Sequence, residues 1–302
     1  MLSLVAYHLY CVATKAWQWP RVLREHRPRL LLDETPRPAL GDRYAIVVKY
    51  ARMGLAPDFF DLLDALERAG INAIVVCNGA LEPAAHERLR QRAHRILVRA
   101  NVGRDIGAYR AATLHLAGQG LRPARMLYLN DSVFYLKGPS LDAMIAALRD
   151  SAFDVAGTFE NHEFSHHLGS YTLSLVGRVF NDAQVLRFWR SYRPYDLRPH
   201  AIRSGEIALS VCLKRQGYSM DALFGVERLM RHLQRLDLSA MLALVSHMRP
   251  AFRKIPLEQL MAQPMSALRM VPALAAAAPA RPLAHSRTPT LTGFRQHGAQ
   301  LG

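Results

Sequence analysis

Two uninterrupted apolar runs decide the fold of this chain: Tyr44-Ala45-Ile46-Val47-Val48 and Ala73-Ile74-Val75-Val76-Cys77. A strand with one face in water alternates apolar and polar residues, so runs without alternation indicate strands that are covered on both faces. Between them, residues 58–69 carry apolar side chains at helical spacing and end before Gly70. The order strand, helix, strand predicts parallel strands joined by crossover helices.

The same pattern continues along the chain and then loosens. Residues 95–98 and 126–129 are further short apolar runs, and residues 82–94 are helical by composition. Beyond residue 150 we expect strands at 153–158, 171–176 and 218–224 and helices at 183–192 and 206–215. The sequence therefore predicts an α/β fold with a Rossmann-type, mainly parallel sheet, helices on both faces and a mixed second half.

The 302 residues, 50% of them hydrophobic, are enough for one main domain with appendages. We expect this domain at residues 41–225, after a basic amphipathic N-terminal segment at residues 1–40. A basic amphipathic helical extension is predicted at residues 226–264 and a disordered Pro- and Ala-rich tail at residues 265–302.

The formal net charge of +15 lies mostly at the two ends of the chain. Such flanks attract anionic lipid, nucleic acid or phosphorylated small molecules, and charge alone does not choose among them. Nucleic acid is disfavoured because the sequence has no zinc-finger spacing and no glycine-and-aromatic motif typical of RNA-binding sheets. The 3 widely spaced cysteines predict neither a disulfide framework nor a structural zinc site and fit a reducing cytoplasm.

The first residues form an apolar stretch that is too short for a spanning helix and lacks the basic start of a signal peptide. Tryptophans and arginines follow at Trp17, Trp19, Arg21 and Arg24. Two interpretations stay open: a helix that lies in a membrane interface, or a helix that packs on the domain.

The stretch Asn101-Val102-Gly103-Arg104-Asp105-Ile106-Gly107 follows a predicted strand and opens a predicted helix. Glycines allow a ligand to approach the backbone, and a helix beginning near Arg104 would point free N–H groups at a diphosphate. Arg104 can add a phosphate contact, and Asp105 can accept hydrogen bonds from sugar hydroxyls. The alternative is an ordinary capped helix start with a surface arginine and aspartate.

A second polar stretch, Asn130-Asp131-Ser132, ends the run at 126–129. Here one carboxylate with amide and hydroxyl neighbours can hold a divalent ion that also binds a nucleotide diphosphate. The alternative is an Asx turn that closes the strand.

These two stretches, together with Gly138-Pro139, resemble the rhamnan synthesis F family of polysaccharide-assembly proteins. The stretch 167–171 (His-Leu-Gly-Ser-Tyr) is similar to that family's His-x-Gln-Ser-Tyr segment, with Gly169 in place of the glutamine. Residues 154–157 keep the acid and the glycine of a further family segment but lose its aromatic residue. The resemblance extends from about residue 44 to residue 224.

The resemblance implies a GT-A-like glycosyltransferase that uses a nucleotide-diphosphate sugar. By position, Asp131 corresponds to the Asp-x-Asp acid, although Ser132 and Val133 replace the second acid. A divalent cation, Mn²⁺ or Mg²⁺, is then expected on Asp131, with His167 as a further ligand. His167 can instead contact the acceptor or be a solvated loop histidine. The predicted donor-binding residues are Asn101, Gly103, Arg104, Asp105, Asn130 and Ser132.

An inverting sugar transfer needs a carboxylate that takes the proton of the acceptor hydroxyl. Asp154, Glu160, Glu163 and Glu206 are candidates in the second half of the chain. We favour Glu206 as the catalytic base because Ser204-Gly205-Glu206 is expected to open a helix. The alternative is an acid placed there for the helix dipole.

The leading hypothesis is a cytoplasmic transferase, peripheral at the inner face of the cell membrane, that binds an anionic membrane surface. It would move a sugar to a lipid-linked glycan acceptor in cell-surface polysaccharide biosynthesis. The family resemblance implies that this sugar is rhamnose. A second hypothesis is a non-catalytic nucleotide- or glycan-binding module of an assembly complex, which the missing second acid favours. A third, a nucleic-acid-binding protein, has its positive charge outside the motif-bearing region.

Overall fold

The computed structural model describes residues 2–25, 28–51, 54–161 and 165–223. The segments predicted at 226–264 and 265–302, and the candidate Glu163, lie outside the described residues. In chain order the elements are α1 (Leu2–Arg24), β1 (Leu30–Glu34), β2 (Arg43–Tyr50), α2 (Pro57–Arg68), β3 (Asn72–Asn78), α3 (Pro83–Arg90), β4 (Arg95–Arg99), α4 (Arg104–Gly118), β5 (Arg125–Asn130), α5 (Pro139–Arg149), β6 (Val155–Gly157), β7 (Glu160–Asn161), β8 (His167–Leu168), β9 (Thr172–Val176), α6 (Gly177–Phe180), α7 (Ala183–Ser191), α8 (Arg198–His200), a π-helical turn (Ala201–Ile207), α9 (Ala208–Arg215) and β10 (Met220–Ala222).

Within the described residues, eight strands form one sheet in the order β1-β4-β3-β2-β5-β9-β6-β10. The four central strands, from β4 to β5, are parallel. On the far side of β5, β9 is antiparallel to both β5 and β6, and β10 is parallel to β6. The predicted fold class, a mainly parallel α/β sheet with a mixed second half, is confirmed.

The unbroken apolar runs are buried because each face of the sheet carries its own layer of helices. In β2, Ile46 and Val48 pack on one face in a cluster that includes Trp189 of α7. The alternate residues Ala45 and Val47 pack on the other face against α2 and α5. These four side chains each have 0% relative exposure. A strand that contacts apolar helices on both sides has no polar face, which explains the lack of alternation in the sequence.

Strand β1 is a departure from the sequence prediction, which placed residues 30–34 in the N-terminal segment. It pairs antiparallel with β4 at the edge of the sheet, so part of residues 1–40 completes the domain. Its burial alternates from residue to residue, and the Asp33 carboxylate accepts two hydrogen bonds from the Arg95 guanidinium, at 2.7 and 2.6 Å. Such alternation is typical of a strand with one face in water, but the sequence Leu30-Leu31-Leu32-Asp33-Glu34 does not itself alternate and so gave no signal for it.

Helix α1 packs on the domain along one face, as the second of the two interpretations expects. Gln18 and Val22 are buried against the domain, and Gln18 Oε1 accepts from the backbone N–H of Asp196 at 2.8 Å. The helix also exposes large apolar side chains, among them Val12 at 65% and Trp19 at 45%. No described helix, α1 included, is both long and apolar enough to cross a membrane.

Candidate functional site

The candidate site lies at the carboxyl ends of the four central strands, which meet at one edge because the strands are parallel. Four polar side chains are buried at this edge: Lys49, Asn78, Arg99 and Asn130. Buried polar groups need partners, so these side chains hold one another and the neighbouring loops in place. Helix α4 begins beside them at Arg104.

The loop into α4 has an unusual backbone. Gly103 has a φ of 76° and Arg104 a φ of 55°, and Arg104 is the one non-glycine residue in the described ranges with a positive φ. The Gly103 N–H donates to Asp196 Oδ1 at 2.6 Å, and the buried Arg99 guanidinium donates to the Val102 carbonyl at 2.9 Å. These bonds hold the start of α4 at the strand ends while the Arg104 side chain stays exposed.

Gly103→Ala is expected to destabilise the protein by roughly 2–4 kcal/mol, because it adds left-handed backbone strain and an overpacked methyl group. A Cβ at Gly103 would lie 2.2 Å from Pro194 Cβ. Gly120 has a similar φ of 81° but open space around it. Gly120→Ala should therefore cost only about 1 kcal/mol. Urea unfolding of both variants measures the difference, and equal losses would contradict the close approach at Gly103.

Asp105 joins the two polar stretches that the sequence singled out. Its Oδ2 accepts from Asn130 Nδ2 at 3.1 Å and from Ser132 Oγ at 3.1 Å. The backbone N–H of Ser132 donates to Asn130 Oδ1 at 3.0 Å, which confirms the Asx-turn interpretation of this stretch. Asn101 lies in the same loop as Gly103, half-buried, and its carbonyl accepts from Arg21 Nη2 at 2.5 Å.

The environment of Asp105 raises the pKa of its carboxyl group above the ordinary value. Burial and the nearby Asp131 charge raise the pKa of Asp105 to about 6, and the Glu206 charge also raises it. Asp105, Asp131 and Glu206 therefore share one electrostatic neighbourhood, although Glu206 comes from a distant part of the chain. The sequence-predicted acids converge at this edge of the sheet.

Asp105→Asn tests this raised pKa. The ordinary value is 3.8, so between that pH and about pH 6 the folded protein holds a proton that the unfolded chain has lost, and stability falls as the pH rises through this window. An asparagine has no such proton, and its oxygen can still accept from Asn130 and Ser132. Between about pH 4 and pH 7 we expect the wild type to lose roughly 2 kcal/mol of unfolding free energy relative to the variant. Parallel stability curves across this range would contradict it.

Asp131 makes an ion pair that the sequence did not predict. Its Oδ2 lies 2.6 Å from Lys49 Nζ, and the Lys49 side chain is only 2% exposed against 11% for Asp131. The Asp131 N–H donates to the Val48 carbonyl at 3.1 Å, a bond that belongs to the last pair of β2 and β5, Val48 and Asn130. The sequence does contain a sign that Lys49 is special: it is a single charged residue directly after an apolar run.

Glu206 accepts hydrogen bonds from Ser170. Its Oε1 is contacted by the backbone N–H of Ser170 at 3.3 Å and by the Ser170 hydroxyl, while His167 Nε2 lies 3.7 Å from Oε2. Burial alone would raise the pKa of Glu206, but hydrogen bonding to His167 and Ser170 outweighs it and lowers the pKa. Glu206 is therefore ionised at neutral pH. The interpretation of His167 as a solvated loop histidine is wrong, since it is 1% exposed.

The expectation that Glu206 opens a helix is also wrong. It lies inside the π-helical turn Ala201–Ile207, in a helical run that starts earlier and continues into α9. Gly205 packs against Ile106 of α4, where a Cβ would approach Ile106 Cγ2 to 3.1 Å. This contact, rather than a helix terminus, brings Glu206 to the site. The sequence showed the glycine but not the extra residue per turn, which depends on tertiary packing.

The other candidate bases lie elsewhere. Asp154 directly precedes β6, so it lies at the amino end of that strand rather than at the carboxyl ends where the site is. It pairs with Arg178 and Ser219. Glu160 is in β7, where its Oε2 is 2.8 Å from His166 Nε2. Of the described candidates, Glu206 is the one whose charge raises the pKa of Asp105.

A comparison with known protein families matches residues 73–257, well over half of the chain, to the family described as Rhamnan synthesis protein F. The chain belongs to the rhamnan synthesis protein F family. This confirms the resemblance found in the sequence. All the predicted site residues from Asn101 to Glu206 lie within the matched range.

Among curated proteins, the chain is similar to the uncharacterized protein y4gN of Sinorhizobium fredii, with 28% identity over 210 residues. The alignment covers 68% of this chain and 54% of that protein, so the chain spans about half the length of this relative. The relative's name assigns no activity.

Solved structures that are distantly similar to this chain include two named as transferases. One is a mannosyltransferase from Pyrobaculum calidifontis in complex with GDP-Man and Mn²⁺, with 15% identity, a TM-score of 0.40, and coverage of 93% of this chain and 88% of that one. The other is a putative nucleotide-diphospho-sugar transferase from Desulfovibrio desulfuricans, with 12% identity, a TM-score of 0.31, and coverage of 76% and 97%. At these scores the likeness assigns no residue and no substrate.

The side chains predicted as metal ligands, Asp131 and His167, do not fit a resident divalent cation in this structure. Asp131 already pairs with Lys49, and the two ring nitrogens of His167 face Glu206 and the Ser165 carbonyl. Among the residues that the structure describes, no three His, Cys, Asp or Glu side chains are grouped to hold a metal ion. The two side chains predicted as metal ligands each have another partner.

Proposed function

We propose that this chain is a glycosyltransferase that moves a sugar, rhamnose by its family, from a nucleotide-diphosphate donor to a lipid-linked glycan acceptor. The observation that carries the proposal is the convergence of Asp105, Asp131 and Glu206 at the carboxyl edge of a mainly parallel sheet, in a member of the rhamnan synthesis protein F family. Open α/β sheets bind their ligands at this edge. The reaction would contribute to cell-surface polysaccharide biosynthesis.

The donor would bind across the start of α4. The first N–H groups of this helix have no partner within the helix and carry partial positive charge, which suits a diphosphate. The exposed Arg104 guanidinium can add a bidentate phosphate contact. Asp105, Asn130 and Ser132 form one hydrogen-bonded cluster beside it, placed to contact the ribose or the sugar.

Glu206 would act as the general base. Its carboxylate takes the proton of the acceptor hydroxyl while that oxygen forms a bond to the anomeric carbon. The bond between this carbon and the diphosphate oxygen breaks, and its electron pair leaves with the nucleoside diphosphate. Ser170 and His167 hold the carboxylate in its ionised form, which is the form a base needs.

A screen of nucleotide-diphosphate sugars tests the function. Thermal shifts identify the donors that bind, and release of nucleoside diphosphate shows turnover. Arg104→Asn removes the guanidinium while tolerating the positive φ, and should weaken donor binding roughly tenfold, about 1.4 kcal/mol. Arg122→Asn, an exposed arginine just before β5 at the opposite edge, is the matched control and should bind normally.

The outcomes of this screen separate the hypotheses. Selective stabilisation together with turnover supports the transferase. Selective binding without turnover would instead support the non-catalytic nucleotide- or glycan-binding module. If no donor shifts the melting temperature or is turned over, the proposed function is contradicted.

We propose that the protein acts at the cytoplasmic face of the cell membrane, bound peripherally to an anionic surface. Leu9, Val12 and Trp19 are exposed and lie on one side of α1, beside the face that carries the buried Gln18 and Val22. An apolar stripe with basic neighbours is typical of a helix that lies in a membrane interface. This location would bring the site near a lipid-linked acceptor.

Val12→Glu combined with Trp19→Glu tests the membrane contact. Both side chains are exposed, so the fold should be unaffected, while burial of two carboxylates in the interface is unfavourable. We expect co-sedimentation with vesicles that contain anionic lipid to fall roughly tenfold, which corresponds to about 1.4 kcal/mol. Leu40→Glu is the control, since Leu40 is also exposed but lies outside α1. Unchanged co-sedimentation would contradict this location.

A further inference from the structure

We propose that Lys49 takes the place of a divalent cation at Asp131, so that this protein binds the donor diphosphate without a metal ion. The inference rests on the proposed function and changes its mechanism: the protein's own ammonium group replaces the expected Mn²⁺ or Mg²⁺.

Strand register holds the two charges together. In the parallel pair β2 and β5, Val48 lies opposite Asn130, so Lys49 and Asp131 follow in corresponding positions. The Asp131 N–H bond to the Val48 carbonyl belongs to this last pair of the ladder. The 2.6 Å contact between Lys49 Nζ and Asp131 Oδ2 is therefore set by the backbone of two central strands, and the ammonium also lies 5.7 Å from the centre of the Phe59 ring.

A metal ion at Asp131 would have to displace this ammonium. Lys49 is 2% exposed, so it would remain in the protein interior without its carboxylate partner. Leaving a buried charge uncompensated is strongly unfavourable, and this cost opposes metal binding. Ser132 and Val133 follow Asp131, so the second acid of an Asp-x-Asp motif is absent and no further carboxylate of the motif is there to bind the ion.

The ion pair also reduces the repulsion between Asp131 and the donor diphosphate. A lone Asp131 carboxylate would repel an incoming diphosphate, and Asp105 and Glu206 are already nearby. With Lys49 bound to Asp131, the pair as a whole is neutral, so the repulsion of a diphosphate is weaker than from Asp131 alone. The start of α4 and Arg104 can then supply the positive potential that the diphosphate requires.

The experiment measures binding of nucleoside diphosphates to the full chain by calorimetry, once in EDTA and once in Mn²⁺. Mn²⁺ binding to the protein alone is followed separately by electron paramagnetic resonance. We expect the dissociation constant of the wild type to agree within about twofold between the two conditions, and the protein alone to leave the Mn²⁺ signal unchanged.

Lys49→Met keeps the length of the side chain and removes its charge. In EDTA this variant should bind nucleoside diphosphate at least roughly tenfold more weakly, and Mn²⁺ should restore part of the loss by occupying the released Asp131. Lys137→Met is the matched control, because Lys137 pairs with Asp61 but is 75% exposed. It should behave as the wild type in both conditions. Should Lys49→Met fail to fold, the wild-type measurements decide alone.

Loss of nucleotide binding in EDTA with recovery in Mn²⁺ would overturn the inference and leave the proposed function standing. Stoichiometric Mn²⁺ binding by the wild type without nucleotide would also overturn it. If no nucleoside diphosphate binds in either condition, the proposed function fails together with the inference.

Discussion

Glu206→Gln is expected to lower the rate of sugar transfer by roughly 10²–10⁴-fold, which is the usual contribution of a general base. Glutamine keeps the shape of the side chain, and its amide oxygen can still accept from the N–H and hydroxyl of Ser170. It cannot take the proton of the acceptor hydroxyl. Donor binding should be unchanged within about twofold. Initial rates with the donor found by the screen, together with calorimetry of donor binding, measure both quantities.

Glu160→Gln is the matched control for this prediction. Glu160 is also a glutamate that contacts a histidine, His166, but it lies in the small β7 and β8 pair rather than at the strand ends. Its replacement should leave the rate within about threefold of the wild type, the scale of an ordinary surface change. If Glu206→Gln retains full activity, or if Glu160→Gln loses as much, Glu206 is not the base.

Asp131→Ala is expected to destabilise the protein by about 3–5 kcal/mol, because it leaves the buried Lys49 ammonium without its partner. The double variant Lys49→Met with Asp131→Ala removes both charges and should recover most of this loss. Urea unfolding of both single variants and the double variant forms a double-mutant cycle that isolates the coupling of the pair.

Asp142→Ala is the control for the ion pair. Asp142 pairs with Arg68 at 2.7 Å, but both side chains are about half exposed, at 47% and 51%. Exposed pairs contribute about 0–1 kcal/mol, so this variant should be close to the wild type. An equally small effect at Asp131 would contradict the buried ion pair. The prediction also means that loss of activity in Asp131→Ala alone does not demonstrate a lost metal ligand, because the same substitution removes the partner of the buried Lys49 ammonium.

The central fold could be predicted because its signal is local. The run Tyr44-Ala45-Ile46-Val47-Val48 has no polar face, and its strand has none in the structure. The turn at Asn130 and the start of α4 at Arg104 were likewise visible as polar residues at the ends of apolar runs. Residues at the ends of parallel strands meet at one edge, so the location of the site followed from the fold class.

The remaining features depend on contacts between distant residues. Lys49 and Asp131 are 82 positions apart, and only the register of β2 and β5 makes them partners. The sequence predicts a helix start at Glu206, whereas its place at the site comes from a π-helical turn that packs through Gly205 on Ile106. A single sequence gives no direct signal for such pairings, because each residue is locally unremarkable.

Hydrogen exchange with and without a bound nucleoside diphosphate maps where the donor binds. We expect slower exchange at residues 101–107, the loop and first turn of α4, and at residues 130–133, with little change elsewhere among the described residues. Protection confined to other parts of the sheet, with these two stretches unchanged, would contradict the assignment of the site.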